Sequence, residues 1–185
     1  DDFIMNNITI PAVADYIGGE FLPPTVELTA VNYNPHDNSP IAPQMATSSQ
    51  NVERALATAW NVHQSGEWRE MPIGERADLI VKMGEWLAAN AEEIAMLESL
   101  TTGIVINTSR MVNFITHITF MASAQMLRAG GTFTVLPGEL ADVEIHRKPW
   151  GPAACIAPWN APAALAAHKV GAALAAGCPV ILKPS

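Results

Sequence analysis

The sequence predicts an α/β fold in which helices flank a parallel sheet and a β-hairpin protrudes. Four segments between residues 48 and 131 repeat apolar residues every three or four positions, as amphipathic helices do. Residues 153–183 then follow the order strand, helix, strand, with both strands apolar. That order forms a right-handed crossover between parallel strands. The composition suits a folded core, because 49% of the residues are hydrophobic and 15% are charged.

Short β-like pieces open the chain. They cover residues 8–10, 15–17, 20–22 and 26–31. Gly18 and Gly19 stand between the second and third pieces, and a glycine pair between two apolar runs predicts a hairpin turn.

Four helices are predicted next. The first runs from about Ser48 to Gly66, the second starts at Pro72 and includes Leu87, the third runs from Asn90 to Gly103, and the fourth covers about residues 108–129. Ser48 or Ser49 is the expected N-cap of the first helix, and Asn90 with Glu93 three residues later resembles a capping box at the third. Apolar residues at helical spacing in the fourth helix are expected to face the core; they include Met111, Phe114, Ile115, Ile118 and Met126.

After Gly131 the apolar period changes to two. Residues 133–136 and 143–147 flank a Pro137-Gly138 turn region and predict a β-ribbon. A strand over residues 153–157, a helix over residues 163–176 and a strand over residues 179–183 complete the chain. Open α/β sheets bind ligands at the carboxyl ends of their strands, where Asn160 and Lys183 are placed.

The formal net charge of −8 argues against a nucleic-acid-binding surface, which needs clustered cations. Fifteen of the 18 acidic residues fall in residues 1–100, and none occurs in residues 149–185. An acid-free stretch that ends near Lys183 would tolerate an anionic ligand. A buried core that excludes charge is the alternative interpretation. Neither G-x-G-x-x-G nor G-x-x-x-x-G-K-S/T occurs, so glycine motifs identify no nucleotide site.

Cys155 and Cys178 stand in apolar surroundings and predict reduced thiols, which favours the cytoplasm. The first residues show no export signal, and the longest apolar run, residues 170–182, is too short and broken to span a membrane. The five histidines show no metal-ligand spacing, so no metal site is expected.

Several motifs of the second half occur in the order of one known family. They are Pro149-Trp150-Gly151-Pro152, Pro158-Trp159-Asn160-Ala161-Pro162, Lys169, Ala173-Leu174-Ala175-Ala176-Gly177 and Val180-Ile181-Leu182-Lys183-Pro184-Ser185. Upstream, Tyr16-Ile17-Gly18-Gly19, Asn34-Pro35, Glu75-Arg76-Ala77 and Glu98 with Thr102-Gly103 agree. Together they resemble the aldehyde dehydrogenase superfamily. Ile104, Ala161 and Cys178-Pro179 depart from the usual family residues.

The resemblance implies a Rossmann-like dinucleotide-binding domain that is incomplete here. Residues 1–131 would form its N-terminal part, residues 132–149 the hairpin of the oligomerisation element and residues 150–185 its first βαβ unit. The implied activity is NAD- or NADP-dependent oxidation of a small-molecule aldehyde to a carboxylic acid through a cysteine thiohemiacetal. The nucleophile and general base are expected beyond Ser185, so the chain alone is expected to be inactive. A homodimer or homotetramer is implied.

The resemblance also assigns site residues. Asn160 is similar to the family's oxyanion-hole asparagine, and Lys169 to a lysine with a supporting or proton-relay role. The cofactor-binding set is Ile156, Ala157, Pro158, Trp159, Asn160, Lys183, Pro184 and Ser185. The alternatives are an Asx turn at Asn160, a solvated Lys183 and a packing role for Trp159. For Lys169 a structural role with a carboxylate partner is favoured.

Cys155 is rejected as the nucleophile, because it lies in a buried strand with no neighbouring base or cation to lower its pKa. The alternative function is a non-catalytic nucleotide-binding or oligomerisation fragment.

Overall fold

The computed structural model describes residues 10–23 and 26–185, and these residues form an α/β structure. The strands are β1 (Asp15–Ile17), β2 (Glu20–Leu22), β3 (Val26–Tyr33), β4 (Pro40–Ala46), β5 (Phe133–Leu136), β6 (Val143–His146), β7 (Ala153–Ile156) and β8 (Val180–Lys183). The helices are α1 (Ser49–Ser65), α2 (Ile73–Ala89), α3 (Ala91–Thr102), α4 (Ile106–Gly130) and α5 (Pro162–Ala175). The predicted piece at residues 8–10 lies almost wholly outside the described residues. In the described residues no helix is both long and apolar enough to cross a membrane.

The β1 and β2 strands form the predicted antiparallel hairpin. Gly18 and Gly19 have φ values of +62° and +86°, which glycine adopts without the steric cost of a Cβ. The hairpin is tied to the start of α1, because Asp15 accepts hydrogen bonds from the Thr47 hydroxyl at 2.7 Å and the Asn51 amide at 2.8 Å.

Strand β4 was not predicted. It pairs antiparallel with β3, and the register shifts between Glu27 and Val31. Pro40 and Pro43 lie within β4. Proline has no backbone N–H to donate to a neighbouring strand, so its presence argues against a strand. A prediction from apolar periodicity therefore misses such a segment.

The predicted helix ends were confirmed at Ser48, Gly66 and Gly103. The Ser48 hydroxyl accepts the Asn51 backbone N–H at 3.1 Å, and both glycines are left-handed C-caps. The capping box at Asn90 was wrong. Asn90 has a φ of −108° and a ψ of 11°, and its side chain donates to the Trp86 carbonyl at 2.7 Å. It therefore caps the end of α2 and makes no side-chain bond to the start of α3.

The core lies where α2, α4 and α5 pack together. Its buried members are Ala77, Ile80, Phe120, Ala124, Leu127 and Ala167. Small residues allow close helix approach: a Cβ at Gly84 of α2 would lie 3.1 Å from Phe120 Cβ of α4. Trp68, in the loop before α2, donates its indole N–H to the Leu174 carbonyl of α5 at 3.1 Å.

The predicted core face of α4 was wrong. Met111, Phe114 and Ile115 are more than half exposed. The face that is buried is instead largely polar; its members are Ser109, Asn113, Thr116, Phe120, Ser123, Ala124 and Leu127. The short hydroxyl side chains all find acceptors: Ser123 donates to the Thr119 carbonyl of its own helix at 2.8 Å, and Ser109 donates to the Ala95 carbonyl of α3 at 2.9 Å. Burying them therefore leaves no unpaired hydroxyl and brings α4 close to its neighbours.

The last two predicted units have the expected pairing. Strands β5 and β6 are antiparallel, from Phe133 opposite His146 to Leu136 opposite Val143. Strands β7 and β8 are parallel, from Ala153 opposite Val180 to Ile156 opposite Lys183, and α5 is their crossover helix.

Candidate functional site

The carboxyl ends of β7 and β8 bring predicted site residues together. Ile156 is the register partner of Lys183, and Ala157 donates its backbone N–H to the Lys183 carbonyl at 3.0 Å. The turn at residues 158–161 leaves this edge and leads into α5. The edge therefore combines the end of one strand, the end of its neighbour and the start of the crossover helix, the arrangement at which open α/β sheets bind ligands.

Asn160 lies in that turn with its side chain exposed. Pro158 and Pro162 flank it and restrict the backbone on both sides. Among the residues that the structure describes, the Asn160 amide makes no hydrogen bond within the protein, so the Asx-turn alternative is not observed. Its N–H donors are free for an external acceptor.

Lys169 projects from α5 towards the same edge. Its ammonium donates to the Ile156 carbonyl at 2.7 Å and the residue is exposed. The expectation of a carboxylate partner was wrong, because the partner is a backbone carbonyl. This bond ties α5 to the last residue of β7, and so fixes the strand end from which the turn starts.

Apolar side chains are exposed at this edge. The exposed fraction is 60% for Ile156 and 76% for Trp159. These exposed apolar side chains can pack against a flat ligand group. Lys183, exposed and paired with Ile156 in the sheet, can bind an anionic or hydroxyl-rich group. The absence of acidic residues from residues 149–185 keeps this edge free of carboxylates from the βαβ unit itself.

Cys155 does not share the chemistry of this edge. It is 4% exposed, and burial raises the pKa of its thiol, while the nearby Lys169 acts in the opposite direction and less strongly. The prediction that no cation lies near Cys155 was therefore wrong. The net direction still favours the protonated thiol, which is a poor nucleophile.

Glu98 of α3 was noted in the sequence only as part of the family resemblance, without a role in the site, and it lies against the site turn. Only 6% exposed, it accepts the Ala163 backbone N–H at 2.8 Å on Oε1. Its Oε2 accepts from the Asn113 amide at 2.6 Å and the Ser109 hydroxyl at 3.2 Å. The available signal was Ala161-Pro162 at a helix start, which supplies no capping side chain and so requires an acceptor from elsewhere.

Within the described residues, no group of three or more His, Cys, Asp and Glu side chains could hold a metal ion. The donors at the edge are instead amide and ammonium groups, which suit oxygen atoms of an organic ligand.

Sequence comparison finds aldehyde dehydrogenases among the relatives of this chain. The family model described as the aldehyde dehydrogenase family matches residues 24–185. The chain is 35% identical over 173 residues to the NADP/NAD-dependent aldehyde dehydrogenase PuuC of Escherichia coli (strain K12), covering 92% of this chain and 34% of that protein. It is 31% identical over 182 residues to the phenylacetaldehyde dehydrogenase of Pseudomonas fluorescens, covering 91% of this chain and 35% of that protein.

Solved structures agree. A point mutant of betaine aldehyde dehydrogenase from Staphylococcus aureus in complex with NAD⁺ superposes with a TM-score of 0.82 at 26% identity, covering 98% of this chain and 36% of that one. An indole-3-acetaldehyde dehydrogenase in its apo form gives a TM-score of 0.85 at 28% identity, covering 100% and 42%. The chain thus spans about a third of the length of the curated relatives it matches.

Proposed function

Since the chain belongs to the aldehyde dehydrogenase family, we propose that the full-length protein oxidises an aldehyde to a carboxylic acid with NAD or NADP. The observation that carries this proposal is the free, exposed amide of Asn160 beside the paired ends of β7 and β8. A donor held in that way can stabilise negative charge on a carbonyl oxygen, which is the charge that addition to an aldehyde creates.

The residues at the edge fit a dinucleotide. The bound dinucleotide would supply the hydride acceptor of the oxidation. Lys183 would donate charged hydrogen bonds to ribose hydroxyls, and the exposed Ile156 and Trp159 would pack against the cofactor. Ala157, Pro158, Pro184 and Ser185 would complete the wall. The lack of carboxylates in residues 149–185 avoids repulsion of the pyrophosphate.

Lys169 would serve this site by position. Its bond to the Ile156 carbonyl is at the last residue of β7, four residues before Asn160. We therefore place Lys169 as a support of the strand end rather than as a proton carrier.

The nucleophile and general base are proposed to lie in further sequence of the full-length protein, whose relatives are about three times as long as this chain. Cys155 does not replace the nucleophile, because burial raises the pKa of its thiol. The exposed apolar residues Met111, Phe114 and Ile115 of α4 would form one wall of the aldehyde passage.

A homo-oligomer is proposed through the hairpin within residues 132–149. Phe133, Val135, Leu136 and Val143 are each more than two-fifths exposed on its strands. A second copy would remove this apolar surface from water.

The proposal is tested by Asn160→Ala in the full-length protein, with Asn61→Ala, an exposed asparagine on α1, as the control. Reduction of the dinucleotide is followed by absorbance with a panel of aldehydes, and dinucleotide affinity by calorimetry. Loss of one oxyanion donor is expected to lower kcat about a hundredfold. Dinucleotide affinity and the Asn61→Ala variant should stay within about twofold of the parent. An unchanged kcat in Asn160→Ala would contradict the assignment.

A further inference from the structure

Helix α5 begins without a cap of its own. Ala161 at the N-cap position has a φ of −157° and a ψ of 66° and offers no side-chain acceptor. Pro162 at the next position has no backbone N–H. The first donor of the helix is therefore the Ala163 backbone N–H, and leaving it unpaired in a partly buried place would destabilise this turn.

Glu98 supplies the missing acceptor from 65 residues earlier in the chain. One carboxylate oxygen accepts a hydrogen bond from the Ala163 N–H. The other accepts hydrogen bonds from Asn113 and Ser109 of α4. Asn113 is 1% exposed and Ser109 is 0% exposed, so the surrounding packing restricts the movement of both side chains. A negative charge at the N-terminal end of a helix is also favoured by the helix dipole.

We propose that Glu98 is a positioning residue for Asn160, which it holds by fixing Ala163, three residues later in the first turn of α5. This inference rests on the oxyanion role proposed for Asn160. Asn160 has no hydrogen bond of its own within the described residues, so its placement depends on its backbone. That backbone is held on one side by β7 and on the other by the bond from Ala163 to Glu98.

The surroundings of Glu98 predict which substitution is tolerated. Asn113 Oδ1 is buried and makes no hydrogen bond in the described part of the chain. In Glu98→Gln, the amide oxygen can still accept from Ala163, while the new amide donates to Asn113 Oδ1 after that side chain flips and gives up its own bond to the Ser109 carbonyl. Glu98→Ala removes every one of these bonds. Glu93→Ala, at an exposed glutamate on the same helix, is the matched control.

The first measurement is amide hydrogen exchange of the full-length protein, read on the peptide that covers residues 156–165. We expect Glu98→Ala to exchange at least tenfold faster there, and Glu98→Gln and Glu93→Ala to match the parent within about twofold. Unchanged exchange of this peptide in Glu98→Ala would overturn the positioning role. This readout does not depend on turnover.

The second measurement is steady-state kinetics at a temperature where all variants are folded. Misplacement of a reacting group by about 1 Å can cost up to a hundredfold in rate, so we expect kcat of Glu98→Ala to fall about tenfold. Its KM for the dinucleotide should stay within about twofold, and Glu98→Gln should recover most of kcat. A purely structural role would instead lower the unfolding temperature and leave kcat per folded molecule unchanged, which would refute the inference.

A double variant separates this inference from the proposed function. If Glu98 acts through Asn160, Glu98→Ala should lower kcat less than twofold in an Asn160→Ala background. An equal tenfold fall in both backgrounds would overturn the inference while leaving the oxyanion role intact. If Asn160→Ala alone leaves kcat unchanged, the proposed oxyanion role fails. In that case only the hydrogen exchange of residues 156–165 tests whether Glu98 orders this turn.

Discussion

Two glycines of α2 provide a test of the close packing between α2 and α4. Gly84 is buried against α4, whereas Gly74 is exposed in the first turn of the same helix. Replacing each by alanine makes the same chemical change in the same helix. The structure predicts opposite effects on the free energy of unfolding.

The magnitudes follow from what each new Cβ would meet. At Gly84 it would lie 3.1 Å from Met121 Cε, 3.1 Å from Phe120 Cβ and 3.2 Å from the His117 carbonyl oxygen. Met121 can move its flexible end, but the other two atoms belong to the α4 scaffold, and such overpacking costs about 1–3 kcal/mol. Alanine recovers about 1 kcal/mol of helix propensity. The net loss at Gly84 is therefore about 1 kcal/mol.

At Gly74 nothing lies within 4 Å of the new Cβ. Only the propensity gain remains, about 0.5 kcal/mol in a first turn. The two variants should thus differ by about 1.5 kcal/mol in urea unfolding of the full-length protein followed by tryptophan fluorescence. Trp68 packs against this core and reports on it. If Gly84→Ala is as stable as Gly74→Ala, the close approach of α2 and α4 described above is incorrect.

The remaining predictions concern cofactor binding, a helix cap and a thiol. Lys183→Ala should raise the dinucleotide KM about tenfold with little change in kcat, because a charged hydrogen bond contributes about 1.5–3 kcal/mol. Initial-rate kinetics measure both constants, and Lys148→Ala, at an exposed lysine, is the control. Ser48→Ala removes the acceptor of the Asn51 N–H and should cost about 1 kcal/mol in urea unfolding, whereas Ser48→Asp should restore it. Burial raises the pKa of Cys155, so its protonated form stabilises the fold below the ordinary thiol pKa of about 8.5. That contribution should vanish as pH rises through the raised folded-state pKa, and Cys155→Ala should flatten this part of the unfolding profile.

Local signals in the sequence were sufficient for most element boundaries. A glycine pair can adopt a left-handed turn, and a serine before a helix can accept its first donors, so Gly18, Gly19 and Ser48 define their elements through chemistry within a few residues. The parallel pairing of β7 and β8 was also predictable, because apolar strands joined by a short helix have one preferred crossover.

The buried face of α4 could not be predicted from hydrophobicity. A prediction from periodicity assigns the most apolar side chains to the core. Met111 and Phe114 are strongly apolar, yet both are exposed. What decides the buried face is the distance between helices, which small side chains such as Ser123 and Gly171 shorten: a Cβ at Gly171 would lie 3.0 Å from the Ser123 hydroxyl oxygen. That distance depends on partners far away in sequence.

The burial of Glu98 and its contact with the turn escaped prediction for the same reason. A glutamate in a helix is ordinarily solvated, and nothing within its own helix indicates burial. Its role depends on Ala163, whose donor lacks an acceptor only because Ala161 and Pro162 precede it. The lysine at position 169 shows the converse case, since its approach to the site was predicted but its partner, the Ile156 carbonyl, was not.

The bond between Glu98 and Ala163 also bears on the order in which a newly made chain assembles. The ribosome completes α3 and α4 well before α5, so Ser109 and Asn113 can bind one oxygen of the carboxylate while water still binds the other. Docking of α5 replaces that water by a backbone N–H. We therefore expect the turn that carries Asn160 to be among the last parts of this chain to become ordered during synthesis.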